Sequence, residues 1–131
     1  MPLTEIFQFL PNLASSGLTV RNSGPADVHF FRALYATARI DVELLATLPV
    51  SQREPFLDDQ FRLQDTHYRR HYGGADFLVV EQDSKPVGRL ILDRTTPAWQ
   101  IVDIALVPAL RGKGIGGELL RTILEAAVRS G

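Results

Sequence analysis

A glycine-rich segment, residues 111–117, constrains the fold of this chain more than any other feature of its sequence. It holds four of the ten glycines. It lies between an apolar run, residues 99–107, that ends at Pro108, and a stretch whose apolar residues recur every three or four positions. This order predicts a strand, a tight turn and a helix. The first amides of a helix have no intrahelical acceptor and the helix dipole is positive there, so the turn can bind a phosphate group.

The remaining elements predict a single α/β domain in which two helices separate the first strand from a hairpin. Local signals mark the boundaries: Pro25 and Asp27 suit the first turn of a helix, and Asp83 and Ser84 suit a hairpin turn. The predicted elements are a strand at 18–21, a helix at 28–38, a second helix that starts near Glu54 and Pro55 and ends before Gly73 and Gly74, hairpin strands at 77–80 and 87–92, the strand at 99–107, and a last helix that buries Ile115, Leu119, Leu120, Ile123 and Ala127.

The composition excludes several classes of protein. With no cysteine, the chain has no disulfide framework, no thiolate zinc site and no cysteine nucleophile. Its 14 basic and 15 acidic residues give a net charge of −1, which disfavours a nucleic-acid partner. The longest apolar stretch, residues 101–110, is interrupted by Asp103 and is shorter than the roughly 20 residues that cross a membrane. No basic residue precedes Arg21 to begin a signal peptide, so we expect a cytoplasmic protein without a membrane partner.

Three types of phosphate-binding loop compete for the glycine-rich segment. A Walker A loop needs a glycine five residues before Gly112 and a serine or threonine two residues after it, and neither is present. A dinucleotide-binding Gly-x-Gly-x-x-Gly pattern is matched by Gly112, Gly114 and Gly117, but it requires a further strand and an acidic residue roughly 20 positions on. Only 14 residues follow, so a nicotinamide-dependent enzyme is the weakest alternative. The acyl-CoA loop, Arg/Gln-x-x-Gly-x-Gly/Ala, is matched by Arg111, Gly114 and Gly116.

With residues 104–108 before it and Leu119 and Leu120 after it, this motif closely resembles the cofactor-binding motif of the GNAT superfamily of acetyltransferases. The order of elements over residues 18–131 resembles the first two thirds of that family's domain. The resemblance implies an α/β, GNAT-like mixed sheet with helices on both faces, preceded by an N-terminal extension at residues 1–17. It also implies an enzyme that transfers an acetyl group from acetyl-CoA to a primary amine, on a small molecule or a protein, by direct attack of the amine.

The resemblance assigns the cofactor contacts to main-chain groups. In this family the strand before the loop separates from its neighbour, and pantetheine lies in the gap, here beside residues 104–107. The amides of residues 111–117 would hold the pyrophosphate, and the backbone at Leu106 would orient the thioester carbonyl. The implied cofactor-binding residues are Leu106, Val107, Arg111, Gly112, Lys113, Gly114, Ile115, Gly116 and Gly117.

Asp103 is the candidate general base. The unperturbed pKa of a primary amine such as that of lysine is roughly 10.4, so a base must remove a proton from it at neutral pH. Gln100 and Asp103 are polar residues of the strand at 99–107, and of the two only Asp103 can act as a base. Alternation places it on the face opposite Val102, Ile104 and Leu106. The alternative role is a carboxylate held in a structural hydrogen bond.

A polar stripe follows helical spacing at Gln60, Gln64, His67 and His71. Spacing alone leaves open whether it faces water or a substrate cleft. The two histidines lie one turn apart, but Tyr68 replaces the glutamate of the zinc-protease motif and no third ligand is evident, so we expect no metal. The neighbouring apolar stripe, predicted to face the core, consists of Leu57, Phe61, Tyr68 and Tyr72.

The sequence departs from the family pattern after the last helix. GNAT domains continue with a further strand, a helix and closing strands, and a strand–loop–helix unit is expected to lead into a parallel strand. Either the chain is a truncated product that lacks these C-terminal strands, or a partner or second copy supplies them, which makes a homodimer one expectation. The missing part would carry the family's frequent tyrosine general acid. A non-catalytic acyl-CoA-binding or regulatory module is therefore the alternative function.

Overall fold

The computed structural model describes residues 17–38 and 45–130, so the predicted N-terminal extension lies outside the described residues except for Gly17. Within this part, four strands form one sheet in the order β1-β2-β3-β4, and every neighbouring pair is antiparallel. The predicted order of elements is confirmed. The elements are β1 Leu18–Asn22, α1 Val28–Ala38, α2 Val50–His71, β2 Asp76–Gln82, β3 Lys85–Asp93, β4 Gln100–Leu106 and α3 Ile115–Ser130.

Helix α2 begins earlier than predicted. It starts at Val50, with Pro49 as its N-cap, and Pro55 lies inside it rather than in its first turn. Proline has a helical φ, but it lacks the amide that would donate to the carbonyl of Ser51, and its ring crowds that carbonyl. The helix continues through this position despite that cost, and it ends at His71, before Gly73 as expected.

Helices cover both faces of the sheet, as predicted. Helix α3 packs on one face, where Leu119 and Ile123 meet alternate residues of the strands, and α1 and α2 pack on the other, where Phe31 and Phe61 meet Val79. The buried cluster on the α3 side consists of Leu18, Val20, Leu78, Val80, Leu90, Leu92, Leu119 and Ile123. Strands β2 and β3 contribute most of the fully buried side chains, so they form the centre of the domain.

The buried face of α3 differs from the prediction. Leu119 and Ile123 are buried as expected, but Leu120 is 42% exposed and Ala127 is only half-buried. Thr122 and Ala126 are buried instead. Successive helical residues point about 100° apart, so a helix that turns Leu119 toward the sheet turns Leu120 toward the side. Leu120 there borders the groove described below.

Strands β3 and β4 approach each other closely at Gly88. This glycine pairs with Leu106. A Cβ atom at residue 88 would lie 2.7 Å from the carbonyl oxygen of Ala105 and 2.7 Å from Cδ2 of Leu106. The amide of Val107 donates to the carbonyl of Val87 at 2.8 Å, one step beyond the pair. The end of β4 is therefore held against β3 at a distance that only glycine allows.

Further along, the register between β3 and β4 shifts by one residue. Ile91 pairs with Asp103 and Leu92 pairs with Ile101, which leaves Val102 without a direct partner on β3. The side chains of β4 therefore alternate regularly between the two faces of the sheet only from Asp103 to Leu106.

The start of α1 is fixed by Asp27, which lies in the 3-10 turn Pro25–Asp27. Its carboxylate accepts two hydrogen bonds from the Arg21 guanidinium, at 2.8 and 3.0 Å, and one from the amide of Gly24 at 2.8 Å. The bonds from Arg21 hold the pKa of the Asp27 carboxyl below its usual range, against the opposing effect of burial. Asp27 thus connects β1 to the helix that follows it.

Candidate functional site

A groove of about 480 Å³ lies where β4 ends and α3 begins. Its apolar wall comes from the end of β4 and from Leu120, and its rim comes from the glycine-rich loop. The lining residues are Ile104, Ala105, Leu106, Leu110, Arg111, Gly112, Gly114, Gly116, Gly117 and Leu120. One continuous segment of about 17 residues therefore builds the groove, which follows from the strand–turn–helix connection that the sequence predicts.

The loop takes a backbone conformation that favours glycine at two positions. Gly112 and Gly114 have φ angles of +76° and +78°, in the left-handed region that other residues rarely adopt. A Cβ atom at either position would meet nothing within 4 Å, so the space beside the loop is open. The amide of Glu118 donates to Gly114 at 3.0 Å, and the amides of residues 115–117 precede this first helical bond. The helix thus presents unpaired donors and the positive end of its dipole where an anion can bind.

Arg111 fastens the loop to two other elements. Its Nε donates to the carbonyl of Leu106 at 3.0 Å, and its two terminal nitrogens donate to the carbonyl and the hydroxyl of Thr37 at 3.3 and 3.0 Å. Thr37 belongs to the last turn of α1, far away in the sequence. The guanidinium therefore joins the groove to the helix layer on the other side of β4, in addition to placing positive charge near the loop.

Six of the nine residues predicted to bind the cofactor line this groove. The other three do not line it. The amide of Val107 bonds to β3, Lys113 is exposed, and the Ile115 side chain packs against the core on the α3 side. The six residues brought together are Leu106, Arg111, Gly112, Gly114, Gly116 and Gly117.

A second, smaller cavity of about 200 Å³ lies on the opposite face of β4, beneath α1 and α2. Four separate elements form it, and it shares Ile104 and Ala105 with the groove. Its lining residues are Phe31, Leu34, Tyr35, Gln64, Arg89, Asp103, Ile104 and Ala105. The two spaces therefore meet at the same two residues of one strand.

Asp103 lies in the cavity and is half-buried. It pairs with Ile91 across the strands, and Arg89 pairs with Ala105, so these four residues share the face that α1 and α2 cover. Ile104, next along the strand, pairs with Leu90 and packs against the core on the α3 side. Asp103 thus lies on the face that alternation predicts. Its catalytic role stays a prediction.

The sequence analysis missed Arg89, the most buried charged residue of the cavity. Its side chain is 4% exposed, and its Nη2 donates to Asp65 of α2 at 2.5 Å. The guanidinium carbon lies 4.8 Å from the centre of the Phe31 ring and 5.9 Å from that of Phe61. Its Nε is buried and has no hydrogen-bond partner within residues 17–38 and 45–130. The signal was a lone arginine within the apolar run at 87–92, which predicts a buried charge with a specific partner.

The polar stripe of α2 divides between two environments. Gln64 lines the cavity, whereas His67 and His71 are exposed, with ring centres 4.2 Å apart, beside a surface depression on the outer side of the helix. Among the described residues, no three potential metal ligands cluster together.

No helix in the described part of the chain is long and apolar enough to cross a membrane. The cytoplasmic location and the homodimer stay predictions.

Comparison with solved structures finds a similar fold in two proteins described as acetyltransferases, and a third has a lower TM-score. A chimera of the spermidine N-acetyltransferase SpeG from Vibrio cholerae and hSSAT is 21% identical, with a TM-score of 0.53 over 86% of this chain and 63% of that one. A protein described as a probable acetyltransferase is 18% identical, with a TM-score of 0.52 over 86% and 63%. A GNAT family acetyltransferase from Brucella melitensis, in complex with acetyl-CoA, is 19% identical, with a TM-score of 0.49 over 88% and 71%. The chain thus spans a little under two thirds of the first two proteins.

Comparisons of the sequence itself give one match. No curated protein matches the chain. The model of the acetyltransferase (GNAT) family matches residues 39–131, which is more than half of the chain and includes α2, the sheet from β2 onward, the glycine-rich loop and α3. The groove and the cavity lie almost entirely within this match, with α1 as the exception. The chain therefore belongs to the GNAT family of acetyltransferases.

Proposed function

We propose that this chain is an N-acetyltransferase that moves an acetyl group from acetyl-CoA to a primary amine of a small molecule or a protein. The observation that carries the proposal is the meeting of two spaces at Ile104 and Ala105. The groove offers backbone amides to an anion, and the cavity contains the carboxylate of Asp103. A donor bound in the groove and an amine bound in the cavity would therefore approach each other at a single strand.

Acetyl-CoA fits the groove on three counts. The amides at the start of α3 suit its pyrophosphate, and the absence of a Cβ atom at Gly112 and Gly114 leaves the loop open to a close approach. The apolar wall at Leu106 and Leu120 suits the aliphatic part of pantetheine. When bound, acetyl-CoA supplies an acetyl group activated as a thioester.

The protein side of the reaction depends on Asp103 and on positioning. An amine enters the cavity mostly as an ammonium ion, and the Asp103 carboxylate, directly or through a water, takes a proton from it. The free amine then attacks the thioester carbonyl, so that a C–N bond forms, the C–S bond breaks and CoA leaves as a thiolate that accepts the proton lost by the attacking nitrogen. Holding both reactants against one strand reduces the entropy cost of this encounter.

Thermal unfolding with and without acetyl-CoA tests the cofactor site first. A ligand that binds only the folded chain stabilises it by about 2.7 kcal/mol when present at a hundred times its dissociation constant. We expect acetyl-CoA to raise the unfolding midpoint and NADH, which also carries a pyrophosphate, to leave it unchanged. Equal shifts with both, or none with acetyl-CoA, would contradict the proposal.

Thiol release in the presence of primary amines then tests the reaction. We expect free CoA to appear in proportion to acetylated amine. Binding of acetyl-CoA without turnover on any amine would favour the alternative, a non-catalytic acyl-CoA-binding or regulatory module.

A further inference from the structure

We propose that the cavity selects an acceptor that carries a carboxylate next to its amine, as a free amino acid does, with Arg89 binding the carboxylate and Asp103 receiving the ammonium group. This inference rests on the proposed function and specifies the acceptor class. It follows from the state of Arg89, from the spacing of the two charges and from the size of the cavity.

One donor of the Arg89 guanidinium is unused. The group is buried between aromatic rings, and its Nε has no hydrogen-bond partner among the described residues. A buried donor without a partner is unfavourable, and in a native protein such a group calls for an explanation, such as a catalytic role or a bound water or ion. Its partner Asp65 also accepts a hydrogen bond from Arg69 at 3.0 Å, so Asp65 is shared between two guanidinium groups.

The register of the sheet fixes the spacing between the two charged residues. Arg89 pairs with Ala105 and Asp103 pairs with Ile91, so Arg89 and Asp103 are diagonal neighbours on one face of the sheet. Such diagonal neighbours lie roughly 7–8 Å apart, with their Cβ atoms somewhat closer. Because both side chains line the same cavity, one ligand there can meet a positive and a negative side chain. A free amino acid carries the two complementary charges on one carbon atom.

The volume and the charge of the cavity disfavour other acceptors. The cavity, at about 200 Å³, is smaller than the roughly 300–1,000 Å³ of pockets that take drug-sized ligands, so it suits a small acceptor rather than a peptide segment. A long polyamine would have to place a second ammonium group near the buried Arg89 guanidinium, and like charges repel strongly where water is excluded. Spermidine is therefore the informative competitor, because the chimera of similar fold is a spermidine acetyltransferase.

Calorimetric titration of the chain, in the presence of CoA, with leucine and with 3-methylbutylamine tests the inference. The two ligands have the same carbon skeleton and differ only by the carboxylate. We expect leucine to bind about ten- to a hundredfold more tightly, as for a charge-assisted hydrogen bond in a buried site. Equal affinity, tighter binding of the amine that lacks the carboxylate, or tighter binding of spermidine than of leucine overturns the inference.

Two variants assign the preference to Arg89. Arg89→Met should reduce the affinity for leucine to that for 3-methylbutylamine and leave the latter unchanged. Arg94→Met is the matched control, because Arg94 also pairs with a carboxylate, Asp76 at 2.7 Å, and lies over a ring, Trp99 at 5.5 Å, but does not line the cavity. If Arg94→Met loses the preference as well, Arg89 does not carry it.

Arg89→Lys covers the case in which Arg89→Met fails to fold. Lysine keeps the charge but cannot form the planar fork of hydrogen bonds, so we expect an intermediate preference for leucine. An unchanged preference contradicts the role of the guanidinium.

The shift of the unfolding midpoint with acetyl-CoA separates the two proposals. If acetyl-CoA binds and leucine has no advantage, the acceptor class is wrong and the proposed function stands; if acetyl-CoA does not bind, the proposed function itself fails.

Discussion

The groove and the cavity share two residues of β4 but are built in different ways. The groove comes from one continuous segment and offers mainly backbone groups, whereas the cavity comes from four elements and offers charged and aromatic side chains. A backbone site depends on conformation and is most sensitive to changes at glycine. A side-chain site depends on which elements pack together and is most sensitive to changes of charge. Substitutions in the two regions should therefore affect binding of the donor and turnover of the acceptor separately.

The largest effect is expected at Gly114. Gly114→Asp places a side chain at a φ of +78° and a negative charge beside the amides at the start of α3, so acetyl-CoA affinity should fall by about a hundredfold or more. Fluorescence or calorimetric titration with acetyl-CoA measures it. Ser84→Asp is the control, because it adds the same charge at a φ of 67° in the β2–β3 turn, outside the groove. Unchanged affinity in Gly114→Asp would remove the loop from the cofactor site.

Asp103→Asn should lower kcat and leave the affinity for acetyl-CoA unchanged. Loss of a general base lowers the rate by about 10²- to 10⁴-fold, and the groove does not include this side chain. Steady-state kinetics with a fixed amine, together with an acetyl-CoA titration, separate the two quantities. Asp83→Asn, in the hairpin turn, controls for the loss of one carboxylate. A fall in acetyl-CoA affinity equal to the fall in kcat would show that the two regions are not separable.

Arg111→Met should have an intermediate effect that tests how the loop is held. The guanidinium makes three hydrogen bonds, two of them to Thr37, in a partly exposed setting, where each contributes about 1 kcal/mol. We expect acetyl-CoA affinity to fall by about tenfold. Thr37→Val removes one of these bonds without touching the charge. If acetyl-CoA affinity also falls in Thr37→Val, the hydrogen bonds that attach the loop to α1 matter for binding. If it falls only in Arg111→Met, the positive charge of Arg111 is what matters.

The smallest effect on activity is expected at Asp27, which lies outside both regions. Its pKa is lower in the folded chain than in the unfolded chain, so its contribution to stability is complete above the unfolded value of about 3.9 and is lost as pH falls through the folded value. The unfolding free energy of the parent chain should therefore fall more steeply below pH 4 than that of Asp27→Asn. Urea unfolding from pH 2 to pH 7 checks this. Parallel curves would contradict it, and kcat at pH 7 should differ little between the two.

The difference between the two regions also explains what the sequence could predict. The groove follows from the spacing of Arg111, Gly114 and Gly116, because these residues are close in the chain and the strand–turn–helix connection determines their arrangement. The cavity requires contacts between distant elements. Alternation gave the correct face for Asp103, but nothing local showed that Arg89 would lie against Phe31. The predicted burial of Leu120 was wrong for a related reason, since the rotation of α3 is set by the sheet beneath it.

Gly88 has a consequence for how the sequence can vary. One of the two atoms that a side chain at residue 88 would strike is a backbone oxygen, that of Ala105, and no substitution of another side chain removes it. A compensating mutation at Leu106 would relieve only half of the conflict. Residues that line the cavity can be substituted as the preferred acceptor changes, because their contacts are between side chains and a second substitution can compensate. In a collection of natural relatives of this chain, we expect residue 88 to stay glycine while the positions of Arg89 and Gln64 diverge together with the substrate.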